Sequence, residues 1–194
     1  MLKEFFNLLK SDSLYEQALV ESYEMLDIDL SMFTESVRSL RKSDSADINI
    51  DIYDMDKKIN SFERDVRRKI MTHLTVNPQQ DLSSGLVLVS VVIDIERIGD
   101  YTKNIYDLAL NHPSKLVGGN YEESLLEVEE STRKFFIDSV KSFKEQDIDL
   151  ARRLMEDYKT EISSKCEEIT KAIVSGKSSD ISSSDAAAIA LYAR

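Results

Sequence analysis

FTESVRSLRK (residues 33–42) and FIDSVKSFKE (residues 136–145) are the two stretches whose comparison decides the fold. Phe33, Ser36, Val37 and Ser39 find identical residues at an offset of 103, Arg38 meets Lys141, and Leu40 meets Phe143. Further on, DMDKKIN (54–60) aligns with MEDYKTE (155–161) at an offset of 101, which pairs Asp56 with Asp157 and Asn60 with Glu161. Two extra residues in the first inter-helix turn reconcile the offsets. The chain therefore reads as one three-helix unit written twice, with residues 1–115 as the first copy and 116–194 as the second. The competing explanation is that amphipathic helices resemble one another because they share a period.

Working outward, apolar residues recur every three or four positions through most of the chain, the spacing of a helix with one buried face. Residues 13–42 carry Leu19, Tyr23, Leu26, Leu30, Phe33, Val37 and Leu40 in that pattern. A second helix is expected over 46–75, although DINIDI at its start alternates with period two and taken alone favours a strand. Asn77-Pro78 marks a break, because the residue before proline resists helical geometry. A third helix follows over 81–110, a fourth over 121–145 and a fifth over 147–175. The Ser-rich KSSDISSS leads to an Ala-rich last helix. At the repeat offset, GLVLVSVVI (85–93) corresponds to AAAIALYAR (186–194), so the third helix of the second copy is expected to be incomplete and its next motif to begin just past Arg194. The expected fold is all-α, with up-down antiparallel helices in two tandem three-helix bundles.

Composition limits the function. A formal charge of −11 and a pI near 4.7 disfavour a nucleic-acid partner held through phosphates and favour cations or basic protein surfaces. Cys166 is the single cysteine, which excludes an internal disulfide and a cysteine-rich zinc site. The longest apolar run, Leu86 to Ile93, contains Ser90 and is far short of the ~20 residues that span a bilayer. The expected location is cytoplasmic. The N-terminal MLKEFFNLLK places Leu2, Phe5, Phe6 and Leu9 at helical spacing, a face to be packed on the body of the protein, on a dimer partner or at a membrane surface.

The chemistry concentrates in DIERIGDYTKN (94–104). Relative to Glu96 on a helix, Asp100 lies about 40° round, Asp107 about 20° and Asn104 about 80°, whereas Val91, Ile95, Ile98, Ile105 and Ala109 cluster on the far side at about 180–260°. Gly99 costs up to ~1 kcal/mol of helix propensity against Ala, so its presence suggests that a neighbouring backbone comes close. With 36 acids in 194 residues, acid pairs one turn apart arise several times by chance. Glu96 and Asp100 thus read either as a solvated face or as a site for a cation.

The whole block L-x-x-V-V-x-D-I-E-R-I-G-D-Y-T-K-N-I (88–105) resembles the signature of the PhoU family of phosphate-uptake regulators. The resemblance extends to DMDKKINSFE (54–63), to Pro78 through Asp81, and to QDIDLARRLMEDYKTE (146–161). It implies two three-helix repeats holding multinuclear iron or zinc clusters on paired E/D-x-x-x-D motifs. Carried over, the first repeat offers Glu96 and Asp100 facing Asp56 and Asn60, and the second offers Asp157 and Glu161, whose third-helix partners the chain lacks. Asn60 stands where an acid would strengthen the set. An all-oxygen shell suits hard or borderline cations, with Mg²⁺ or Mn²⁺ as alternatives to iron and zinc.

By resemblance, the chain would be a regulator or adaptor and not an enzyme. It would contact the ATPase of a phosphate ABC transporter and a sensor histidine kinase, or a sodium–phosphate cotransporter, with peripheral membrane association through those partners and homodimerisation as one expected state. The alternative is a metal-dependent enzyme or metal-storage bundle, and the absence of any E-x-x-H counts against di-iron chemistry. His73 and His112 are isolated and form no triad. Arg64, Arg67, Arg68 and Lys69 read as a solvated helix end rather than a docking patch.

Overall fold

A computed structural model describes residues 13–76, 81–176 and 180–193. It is built of α-helices: α1 (Leu14–Lys42), α2 (Ile52–Val76), α3 (Leu82–Asn111), α4 (Glu122–Glu145), α5 (Ile148–Asp157), α6 (Ser164–Val174) and α7 (Ser183–Tyr192). A 3₁₀ turn at Gly119–Tyr121 precedes α4, and a π segment at Tyr158–Ser163 joins α5 to α6. The chain is all-α, as the periodicity requires. The break at Asn77-Pro78 and the N-terminal MLKEFFNLLK face lie outside the described residues.

Local chemistry sets the helix ends. Ser13 and Glu16 form a capping box, with Glu16 N donating to Ser13 Oγ (3.1 Å) and Ser13 N to Glu16 Oε2 (2.7 Å). Asp51 accepts from Asp54 N (3.0 Å), and α2 therefore starts at Ile52. This corrects the expected start at 46: residues 43–51 are a capped connection and neither strand nor helix, and Ala46 takes a positive φ of 53° within it. Asp147 caps α5 by accepting from Leu150 N (2.9 Å), after Gln146 ends α4 in the left-handed region. The fifth helix expected over 147–175 is likewise interrupted, since YKTEIS winds one turn as a π-helix.

Cα packing divides the chain into two compact units, residues 1–29 with 51–101, and residues 30–50 with 102–194. The division passes through α1 and α3, whereas the repeat boundary near 115 is a property of the sequence. In the first unit, Tyr15 packs on His73 (5.8 Å between ring centroids), Glu21 pairs with Lys69, and Asp29 lies in the field of Asp56. α1 and α2 are therefore antiparallel. A Cβ at Gly85 would meet Ile70 and Leu74 at 3.1–3.2 Å, and one at Gly99 would meet Ile59 at 3.0 Å, so α2 and α3 are antiparallel too. Ala18, Met25, Ile59, Val66, Ile70, Leu88, Val92 and Ile95 fill the centre of this three-helix bundle, each at most 3% exposed.

In the second unit, Leu40, Ala109, Leu116, Leu125, Ile169, Ala188, Ile189 and Ala193 form one apolar cluster. Arg41 ties its edge: the side chain, 5% exposed, donates to Glu129 Oε1 (2.7 Å), Glu122 Oε1 (2.6 Å) and the Leu116 carbonyl (2.6 Å). Arg133 reaches Thr34 Oγ1 (2.7 Å) and lies over the Phe33 ring (5.5 Å). The FTESVRSLRK motif is thus held by polar contacts as well as by its apolar stripe.

Candidate functional site

Three helices of the first unit converge on Asp29. It sits in α1 between Met25–Leu26 and Met32–Phe33, on the stripe that faces the core, and is fully buried. Neither carboxylate oxygen has a hydrogen-bond partner. Glu96 from α3 and Asp56 from α2 are close enough to act on it electrostatically, and Gly99 makes the room: a Cβ there would lie 3.0 Å from Asp29 Oδ1. The close approach expected at Gly99 is real, but the neighbours are the side chains of Asp29 and Ile59 and not a backbone.

Burial is the largest cause of the shift in Asp29, with Glu96 and then Asp56 adding to it, and together they push the carboxyl from 3.8 to about 8. The physics is simple. A carboxylate without hydrogen bonds in an apolar interior loses hydration and regains nothing, and two nearby acids add repulsion. At neutral pH the group must hold a proton or face a cation.

The sequence-predicted residues fall into two places. Glu96 and Asp100 are half-buried on α3, and Asp56 and Asn60 are half-buried on α2. The Asn60 amide donates to the Asp56 carbonyl (3.0 Å), a bond within its own helix. Asp157 and Glu161 lie in the second unit, where they line an open groove of about 310 Å³ with Glu127, Glu130, Asp138 and Lys134. There Lys165 pairs with Glu127 (2.7 Å), and Asp157 and Glu161 are exposed. Solvent and lysines already balance that charge, which they do not at Asp29. Among the described residues, no three His, Cys, Asp or Glu side chains converge as a preformed metal cluster.

Asp29 is the residue that sequence reasoning missed. Its signal was present, an acid at i+3 from Leu26 and i+4 from Met25 on a core-facing stripe, in a helix whose other buried polar residues are serines. The remaining candidates are structural. His73 Nε2 bonds Asp81 Oδ2 (2.8 Å) where α2 ends and α3 begins, and His112 Nδ1 meets the Ser114 carbonyl (2.6 Å). Arg67 pairs with Glu63 (2.7 Å) and Arg68 with Asp65 (2.8 Å) along the exposed side of α2, while Lys69 is largely buried and pairs with Glu21 of α1.

Comparison with known families gives one match: residues 23–109 match the PhoU domain. The chain carries a PhoU domain. The match contains Asp29, Asp56, Asn60, Glu96 and Asp100 and stops before Asp157 and Glu161. A PhoU domain links the chain to the regulation of phosphate transport. No curated protein and no solved structure matches the chain. No helix among the described residues is long and apolar enough to cross a membrane.

Proposed function

We propose that the protein is a non-catalytic regulator of phosphate transport whose first unit holds a cation on Asp29, Asp56, Glu96 and Asp100. The observation that carries this reading is the buried, unpartnered carboxylate of Asp29 beside two further acids. The donors are all oxygens, which fits iron, zinc, Mg²⁺ or Mn²⁺. A bound cation would supply the positive charge that this interior lacks. Asp29 contributes from α1, Asp56 from α2, and Glu96 and Asp100 from α3, so ligation would tie the three helices together and fix the surface they present. Asp157 and Glu161, outside the matched domain and open to water, form a second and weaker group. Burial of Asp29 also disfavours the alternative of a metal-dependent enzyme, because catalysis needs a coordination position that substrate can reach.

The partners proposed are those that the resemblance to phosphate-uptake regulators implies. A phosphate ABC transporter ATPase with a sensor histidine kinase, or a sodium–phosphate cotransporter, would receive the bundle from the cytoplasmic side. A mutant lacking the gene is expected to keep phosphate-starvation genes on in phosphate-rich medium, read by transcript levels beside the parent strain. Unchanged expression would overturn the regulatory role.

A further inference from the structure

The connection between α3 and α4 meets α7 at a buried imidazole that the candidate cation site does not use. His112 follows the last residue of α3, and its side chain is 4% exposed. Nδ1 lies 2.6 Å from the Ser114 carbonyl, which can only accept, so Nδ1 carries a hydrogen. Nε2 is buried and makes no hydrogen bond. It faces Oδ1 of Asp185, in the first turn of α7, at 3.4 Å. A neutral ring with its hydrogen on Nδ1 points the Nε2 lone pair at that carboxylate, and two acceptors set against each other away from water repel. A second proton, on Nε2, turns the same contact into an ion pair with a donor.

The ring sits where α7 depends on it. With ten residues, α7 is too short to persist alone in water and keeps its form by docking. Its Ala188 and Ile189 complete the apolar cluster of Leu40, Leu116 and Leu125. The connection is firm on its other side, since Leu116 N donates to the Leu40 carbonyl (2.8 Å) and the Leu116 carbonyl accepts from Arg41 (2.6 Å). Asp185 joins α7 to it: Oδ1 also accepts from Val117 N at a long 3.4 Å, and Oδ2 accepts from the Ser182 hydroxyl. The other charges nearby are engaged elsewhere. Lys115 pairs with Asp44 (3.8 Å), Arg41 of α1 with Glu122 and Glu129 of α4, and Asp180 accepts from Asn120 (2.8 Å). The contact of His112 with Asp185 therefore decides how firmly the first turn of α7 is held.

We infer that His112 is a proton-operated clasp. With both ring nitrogens protonated it binds Asp185 and holds α7 on the second unit; without the Nε2 proton it loosens α7 and uncovers the cluster beneath. Histidine is the side chain whose charge ordinarily changes in the neutral range, which suits it to this role. The sign follows from the geometry: the hold is present at low pH and is lost as pH rises. The inference does not depend on a cation at Asp29, which belongs to the first unit.

The chain has two histidines, so nitrogen NMR of the imidazoles in the full-length protein resolves each ring. His112 in its neutral form should carry its hydrogen on Nδ1. Hydrogen exchange of the α7 amides, corrected for intrinsic rates, should be followed from about pH 5.5 to about pH 8.5. The α2 amides serve as reference, because they report the first unit's own response to pH. Relative to them, α7 should exchange about tenfold faster at the upper end, the worth of a hydrogen bond to a charged group. His112→Gln, whose amide donates at every pH, should hold α7 without that dependence. Asp185→Asn should remove the dependence by taking away the carboxylate. No dependence in the wild type, or an equal one in both variants, would overturn the inference. So would a neutral His112 with its hydrogen on Nε2, a result that needs no variant to fold.

Discussion

Metal-free protein is expected to lose stability as pH rises from about 4 to 8, and Asp29→Asn is expected to remove that loss. The folded chain holds the Asp29 proton up to about 8, whereas the unfolded chain releases it near 3.8. Between those values the folded state binds more protons, so stability falls with pH by up to about 1.4 kcal/mol per unit from this group. Below the lower value both states are protonated and the effect vanishes; above the upper one it is complete and constant. Asn keeps the shape and has no charge to bury. Urea unfolding in chelator at about pH 5.5 and about pH 8.5 should show the variant gaining on the wild type by a few kcal/mol at the higher pH. Parallel pH profiles for the two proteins would contradict the buried carboxylate. A saturating cation should flatten the wild-type profile, since it replaces the proton.

Arg41→Ala is expected to destabilise the second unit strongly. The side chain is 5% exposed and bonds Glu129, itself 14% exposed, as well as Glu122 and the Leu116 carbonyl. Removing the guanidinium leaves Glu129 half of a broken buried pair, which costs about 3 kcal/mol or more because the remaining charge loses its compensation. Each kcal/mol moves the midpoint by about 2–4 °C in a chain of this size, so thermal unfolding should start roughly 10 °C lower. The Tyr192 phenol, held above its ordinary range by burial and by Glu129, lies in the same network. A midpoint within about 2 °C of wild type, that is, within about 1 kcal/mol, would show that the pair is solvated.

The helices were legible because their apolar stripes are long and regular. Where reading failed, short-range chemistry outweighed pattern. DINIDI alternates like a strand, yet Asp51 caps a helix and turns the preceding residues into a connection. Nothing in YKTEIS announces a π turn, because one extra residue per turn leaves the apolar spacing nearly unchanged. At the site, DIERIGD stood out as a block, and the structure places its Glu96 beside residues from two other helices. Asp29 escaped because an acid among Met25, Leu26, Met32 and Phe33 reads as an interruption of a stripe. Only the burial of that stripe turns the interruption into a charge that needs a partner.

The central claim is that these carboxylates hold a cation, and elemental analysis of the purified protein tests it most directly. Wild type, Asp29→Asn and Glu96→Ala/Asp100→Ala would be equilibrated with iron, zinc, manganese or magnesium, desalted and measured side by side. Stoichiometric retention of at least one of these metals by the wild type, with most of it lost in both variants, is the predicted result. Equal, near-zero metal in all three proteins would contradict the account.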